Sequence, residues 1–151
     1  RPMATTVGTE SRIDRLVENL LSLEHDAIAA YDATIERLDD EQARRQIAAF
    51  REDHAQHVGV LETMAKELGL EPRREGDAKE MLTTGKIKMA NLVGDGAILK
   101  AMKTNEDDTV TAYTRARDHE EAKPDSVAFF TKALEDEKRH REYMETLSQA
   151  K

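Results

Sequence analysis

Two stretches of this chain share one pattern of residues and give the strongest indication of its fold. Residues 50–64 read FREDHAQHVGVLETM, and residues 133–147 read ALEDEKRHREYMETL. Each has a Glu-Asp pair, a His four residues after that Asp, and a later Glu-Thr pair. At the position directly after the Asp, the first stretch has His54 and the second has Glu137. Because residues three or four apart share one face of a helix, the repetition predicts two related helices.

The same spacing of core-facing residues continues outward from these stretches and predicts the first two helices. The first begins near Ser11, which forms a pattern like a capping box with Asp14 three residues later. Asp39 and Asp40 make a short polar break and can cap the second helix. Gly69 ends that helix, since glycine accepts the backbone conformation that closes a helix. A connection this short makes the two helices antiparallel neighbours.

A second hairpin follows a long connection. Residues 71–96 contain four glycines and mixed polarity, which is typical of a crossover segment, with a short helix near Lys86–Leu92. Asp95 begins a third helix, and the loop KPDS at residues 123–126 separates it from a fourth. Two hairpins joined by a long crossover characterise one type of four-helix bundle. The predicted fold class is therefore all-α, with residues 1–10 disordered and residues 11–151 forming a single domain.

Composition excludes several classes of function. The net charge is −8, so the chain has no electrostatic attraction to nucleic acid. It has no cysteine, which excludes disulfides, cysteine-bound zinc and iron–sulfur clusters. It also lacks an apolar run of 18 residues and any visible signal peptide. The expectation is a cytoplasmic protein without a membrane partner.

Polar residues interrupt the predicted core faces near the middle of each helix. In an antiparallel bundle these positions meet at one level, and buried carboxylates without partners cost several kcal/mol. A cation bound among them would explain the pattern. Taken singly, each is more simply a misjudged helical face or a hydrogen-bonded core residue, but together they predict a metal site. The candidate ligands are Glu24, His54, His57, Glu106, Glu137 and His140.

A tyrosine follows seven residues after the glutamate in each half of the chain. Tyr31 follows Glu24 and Tyr113 follows Glu106, which suggests a duplicated helical hairpin with a twofold axis through the site. Two roles are open for each tyrosine. It either packs in the core with its hydroxyl satisfied or donates a hydrogen bond to a ligating glutamate.

On these residues the chain resembles the ferritin-like superfamily over nearly its whole length. In that family, a Glu on helix one, a Glu-x-x-His on helix two, a Glu on helix three and a Glu-x-x-His on helix four bind two iron or manganese ions. The resemblance assigns ligand roles to Glu24, Glu106, His57, Glu137 and His140, and it makes the two tyrosines partners of the ligands.

His54 departs from the family pattern because helix two should supply a glutamate at this position. The two Glu-x-x-His carboxylates commonly bridge the metals, and imidazole cannot bridge them as a carboxylate does. A single ion, or two ions held by Glu137 and a solvent bridge, are both compatible with the remaining ligands. Asp53 and Asp136 are expected to point away from the core face and to take no part in binding.

The ligand types favour two hypotheses of different class. One is a redox protein that binds one or two ions of iron, or of manganese. It would oxidise ferrous iron or remove peroxide, and its small-molecule partner would be oxygen or peroxide. The other is a non-catalytic structural or stress-related bundle that binds a single ion such as zinc. A homo-oligomer is compatible with both hypotheses. The sequence does not identify the surfaces through which it would assemble.

Overall fold

The computed structural model of this protein describes residues 5–71 and 89–151 and contains four long helices in those ranges. We number them in chain order as α1 (Ile13–Arg37), α2 (Glu41–Glu67), α3 (Asp95–Arg117) and α4 (Pro124–Ala150). The described residues contain no strand. The predicted all-α fold class is confirmed.

Both predicted ends of α2 are confirmed. The side chain of Asp40 accepts hydrogen bonds from the backbone N–H groups of Gln42 and Ala43. At the other end Gly69 has φ +75°, and the backbone N–H of Leu70 donates to the carbonyl of Ala65 at 2.9 Å. A left-handed glycine with this bond is a Schellman ending, which satisfies carbonyls that would otherwise lack partners.

The predicted capping box at the start of α1 is wrong. The helix begins at Ile13, and Arg12, its N-cap residue, makes no side-chain capping bond. The carboxylate of Glu121 accepts from the Ile13 N–H at 2.7 Å instead. The donor at this helix end is thus satisfied from the distant loop before α4, which local sequence does not indicate.

The helices form two antiparallel hairpins. α1 packs on α2, and α3 packs on α4, while smaller contacts join α1 to α3 and α2 to α4. One apolar cluster combines the first half of α1, the second half of α2, the second half of α3 and the first half of α4. The other cluster combines the opposite halves of the same helices. α2 and α3 therefore run in the same direction, so the end of α2 and the start of α3 lie at opposite ends of the bundle, as the predicted crossover requires.

The candidate ligands lie between these two apolar clusters. All six are buried, and each helix contributes at least one of them to the same level of the bundle: Glu24, His54, His57, Glu106, Glu137 and His140. Above and below this level the core is filled by Leu, Ile, Ala, Met and aromatic side chains. The bundle therefore isolates one charged layer from water on both sides along its axis.

Two predictions concern segments at the edges of the described ranges. Thr5–Glu10 contacts α3, since Arg115 donates to the carbonyl of Thr5 at 2.6 Å and to that of Val7 at 3.1 Å. The disorder predicted for residues 1–10 stays a prediction about solution behaviour, with residues 1–4 outside the described ranges. The short helix near Lys86–Leu92 also lies partly outside them, although Met89 is helical and buried.

Across residues 5–71 and 89–151, none of the helices combines the length and the apolar character that spanning a bilayer requires.

Candidate metal centre

Glu24 of α1 contacts both histidines of α2. Its Oε1 lies 2.5 Å from Nδ1 of His54, and its Oε2 lies 2.6 Å from Nδ1 of His57. The hydroxyl of Tyr113 donates to the same Oε2 at 2.8 Å. The Glu24 carboxylate is thus hydrogen-bonded at both oxygens, although the side chain has no exposure to water.

His140 of α4 occupies the corresponding position in the other half of the cluster. Its Nδ1 lies 2.9 Å from Oε2 of Glu106 and 3.1 Å from Oε1 of Glu137. The hydroxyl of Tyr31 lies 3.4 Å from the same Nδ1. Glu24 with His57 therefore matches Glu106 with His140 across the twofold axis that the sequence predicts.

His54 lies between these two halves. Its Nδ1 faces Glu24, and its Nε2 lies 3.4 Å from an oxygen of Glu106 and 3.4 Å from an oxygen of Glu137. Its ring centroid is 5.7 Å from that of His57 and 5.2 Å from that of His140. His54 is the residue that breaks the repeat. Of the three histidines in the cluster, it is the one with both ring nitrogens facing glutamates.

Two aspartates that were expected to point away from the core face make hydrogen bonds to histidines of the cluster, so their predicted direction is wrong. That they are not metal ligands stays a prediction. Nε2 of His57 lies 2.9 Å from Oδ2 of Asp136, and Nε2 of His140 lies 2.8 Å from Oδ2 of Asp53. Arg139 donates to both carboxylates, at 3.2 Å to Asp53 and at 3.0 Å to Asp136. Each aspartate thus holds the outer nitrogen of a histidine from the other half, which turns Nδ1 toward the cluster.

The repeat itself contained a signal for these aspartates. Both stretches keep Glu-Asp directly before the position of His54 or Glu137, while many surrounding residues differ. One residue before a core-facing position lies about 100° around a helix, at the boundary with the next helix. The predicted direction of the side chains therefore excluded Asp53 and Asp136 from the cluster. Their presence in both copies of the repeat indicated that they take part in it.

Burial and the histidines act in opposite directions on two of the glutamates. Burial would raise the pKa of Glu24, but the charge of His54 and the hydrogen bonds of both α2 histidines lower it to about 2. For Glu106, burial is likewise outweighed by the charge of His54 and the hydrogen bond of His140, and the pKa is about 2. Both carboxylates are therefore anionic at neutral pH.

Glu137 differs from the other two glutamates. Burial and the negative charge of Glu106 raise its pKa to about 7 despite the opposing charge of His54. Within the part of the chain that the structure describes, neither of its carboxylate oxygens has a hydrogen-bond partner. Among the three glutamates, this is the carboxylate whose charge the protein alone stabilises least.

The histidines hold their protons strongly. Burial would lower the pKa of His57, but its hydrogen bonds to Asp136 and Glu24 raise it to about 9. The pKa of His140 is also raised to about 9, because the hydrogen bond to Glu106 and the close carboxylate of Glu137 outweigh burial. Burial opposes the charged form of His54 too, yet three glutamates raise its pKa well above the usual range. Without metal, protonated imidazoles thus neutralise the buried carboxylates.

The cluster has the chemistry that a divalent ion needs. Four buried side-chain atoms at its centre have no hydrogen-bond partner among residues 5–71 and 89–151: Nε2 of His54, Oε1 of Glu106 and both carboxylate oxygens of Glu137. Two overlapping groups of residues can each supply four ligand atoms within 4.8 Å of one another, namely Glu24, His54, His57 and Glu137, and His54, Glu106, Glu137 and His140. The residues present therefore fit a metal ion, since oxygen and nitrogen donors of these types bind iron, manganese and zinc.

A comparison with protein families gives a match over most of the chain. The family described as a domain of unknown function (DUF2383) matches residues 13–119, which is more than half of the chain. This range contains Glu24, His54, His57 and Glu106 and ends before α4, which carries Glu137 and His140. No curated protein and no solved structure matches the chain.

Proposed function

This chain belongs to the family described as a domain of unknown function (DUF2383), and we propose that it functions by binding metal ions in its buried Glu–His cluster. The observation that carries this proposal is the convergence of four buried ligand atoms, from α2, α3 and α4, that have no hydrogen bond within the described residues. An unpaired polar atom in a protein interior costs free energy. A divalent ion would offset that cost at all four atoms together.

The ligand types favour iron or manganese in a redox role. The four-helix arrangement and the distribution of glutamates resemble the ferritin-like superfamily, in which such clusters hold two of these ions. Iron held by carboxylate and imidazole ligands supplies one-electron chemistry toward oxygen or peroxide. We therefore propose oxidation of ferrous iron or removal of peroxide as the activity, without a cysteine-bound electron relay, since the chain has no cysteine.

The side chains around the cluster have distinct proposed roles. Glu24, Glu106, His57 and His140 would hold ions from opposite sides, and Asp136 and Asp53 would orient the two histidines. The pKa of Tyr113, like that of Tyr31, is raised well above its usual range, by burial first and then by the nearby glutamates. Both tyrosines therefore keep their hydroxyl protons, which makes Tyr113 a lasting donor to Glu24.

The proposal is tested by titrating metal-free protein with ferrous salt without oxygen and then admitting oxygen. We expect at least one bound ion per chain and a ferric absorption band near the ultraviolet edge that forms faster than in buffer. The matched variants are Glu137→Gln and Glu135→Gln, because Glu135 lies two residues away on the exposed side of α4. Glu137→Gln should lose iron and Glu135→Gln should keep it. Equal binding by both would overturn the proposed site.

A second function is favoured by the number of nitrogen donors. Three histidines face the cluster, and His54 replaces the carboxylate that the ferritin-like pattern has at this position. Imidazole suits zinc as well as iron. On this reading, the chain is a non-catalytic bundle, with a structural or stress-related role, that zinc stabilises. Competition between zinc and iron at equal concentrations, read by elemental analysis, separates the two: retained zinc without oxygen consumption supports the structural role.

A further inference from the structure

We propose that His54 bridges two metal ions, binding one through Nδ1 and the other through Nε2. This inference deepens the proposed function and depends on it, since it requires that the cluster bind metal. It revises the expectation that replacing a glutamate by histidine removes a bridge from the site. On this inference the bridge is retained in a longer form.

The orientation of the His54 ring carries the inference. Nδ1 lies 2.5 Å from Glu24 Oε1, and Glu24 also contacts His57. Nε2, on the opposite side of the ring, lies 3.4 Å from oxygens of both Glu106 and Glu137. The two nitrogens thus face two different groups of ligands, each completed by a different histidine. A terminal ligand would need only one nitrogen turned toward the cluster.

The outer nitrogens of the other two histidines are already engaged. His57 directs Nε2 to Asp136, and His140 directs Nε2 to Asp53. Each of these rings can therefore offer only Nδ1 to an ion. Among the described residues His54 has only glutamate partners and no aspartate, and its Nε2 is one of the buried atoms without a hydrogen bond. Among the three histidines, His54 alone has both nitrogens available to the interior of the cluster.

Residue membership of the two ligand groups agrees with this assignment. One ion would be held by Glu24, His57 and Nδ1 of His54, and the other by Glu106, His140 and Nε2 of His54. Glu137 belongs to both groups, as His54 does. The carboxylate that lacks hydrogen bonds and the imidazole that faces both ways are thus the two side chains positioned to connect the ions.

Proton and charge balance are consistent with a bridge. Each nitrogen–metal bond replaces an N–H bond of His54, and the displaced protons leave to solvent as the ions bind. The resulting imidazolate carries one negative charge, the same as the glutamate that it replaces in the repeated pattern. The ligand set then has the charge of four carboxylates, which is enough to neutralise two divalent ions.

The bridge predicts the distance between the ions. Metal–nitrogen bonds of about 2.0–2.1 Å on opposite sides of one imidazole ring place two ions about 6 Å apart. Sites with two ions in direct association have a separation of about 3.5–4 Å. The difference is large enough for the two arrangements to be distinguished by crystallography.

Crystals of the zinc-loaded protein, with anomalous data at the zinc edge and elemental analysis of the same sample, test the inference. We expect two zinc ions per chain about 6 Å apart with the His54 ring between them. His54→Gln keeps a polar side chain but removes both ring nitrogens, so it should bind at most one ion tightly. His54→Glu should bind two ions at about 3.5–4 Å. Circular dichroism confirms that each variant folds.

Several results would overturn the bridge while leaving the proposed function intact. These are one zinc ion per chain in the parent protein, two ions at the shorter separation, or an unchanged pair in His54→Gln. Failure of the parent protein to bind zinc, iron or manganese would overturn the proposed function itself. In that case His54 would be a hydrogen-bonded cation that neutralises the glutamates.

Discussion

His57 of α2 and Asp136 of α4 are joined by a contact of 2.9 Å between Nε2 and Oδ2, although they come from different halves of the repeated sequence. The mirrored contact joins His140 to Asp53 at 2.8 Å. Each half of the chain therefore orients a histidine of the other half. This reciprocity makes the cluster a property of the assembled bundle, since neither hairpin contains both members of either pair.

Asp136→Asn should weaken metal binding. An amide in place of the carboxylate holds the outer nitrogen of His57 less firmly and lowers the basicity of Nδ1. Loss of such a partner typically costs 10- to 100-fold in metal affinity. Competition with a chromophoric chelator measures this change. The control is Asp107→Asn, because Asp107 is a partly exposed α3 carboxylate paired with Lys103. A loss of metal affinity of similar size in both variants would contradict the role of Asp136 in orienting His57.

The metal-free protein should lose stability as the pH rises from about 6 to 9. His57 and His140 have folded-state pKa values of about 9, above their ordinary 6.5. The stability that they contribute is therefore fully present below 6.5 and is lost as the pH rises through 9. The pKa of Glu137 is raised from 4.5 to about 7, so its ionisation also lowers the stability of the fold as the pH rises between these values. The raised pKa of each histidine corresponds to roughly 2–4 kcal/mol of unfolding free energy at low pH.

Urea unfolding of chelator-treated protein at several pH values, followed by circular dichroism, measures this slope. Acid should also destabilise the protein, since Glu24 and Glu106 have pKa values lowered to about 2 and their contribution is lost as the pH falls toward that value. His57→Gln should flatten the alkaline side of the profile. A parent protein with constant stability between pH 6 and 9 would contradict the protonated cluster.

Metal should reverse the alkaline loss. Metal ligands must be deprotonated, so binding to this cluster releases protons from His57 and His140 and becomes stronger as the pH rises. An ion that binds only the folded chain adds stability by mass action, about 2.7 kcal/mol at a hundredfold excess over Kd. Calorimetric titration in two buffers of different ionisation enthalpy counts the released protons. Binding without proton release would show that the histidines are not ligands.

Tyr113→Phe should destabilise the protein more than Tyr31→Phe. The hydroxyl of Tyr113 donates to Glu24 at 2.8 Å, whereas that of Tyr31 lies at the longer distance of 3.4 Å from His140. A buried hydrogen bond to a charged group contributes about 1.5–3 kcal/mol. Both tyrosines are fully buried, so the two substitutions remove the same atom from similar surroundings. Equal losses of unfolding free energy would show that the hydroxyls have equivalent partners.

Helical periodicity in the sequence was sufficient to predict the four helices and the inward face of each. Spacing of three and four residues fixes which side chains share a face, so Glu24, Glu106 and Glu137 were identified as buried without knowledge of the fold. The cap at Asp40 and the end at Gly69 were also predictable, because both depend on neighbouring residues alone.

Contacts between helices were decided only by the tertiary structure. Periodicity gives the direction of a side chain relative to its own helix axis, but not the rotation or height of the helix that it meets. Asp53 and Asp136 lie at the edges of their faces, and only the packing of α2 against α4 brings each within reach of the opposite histidine. The same packing turns one nitrogen of His54 toward Glu24 and the other toward Glu106 and Glu137. The sequence by itself determined which residues are buried, and long-range packing decided which atoms face one another.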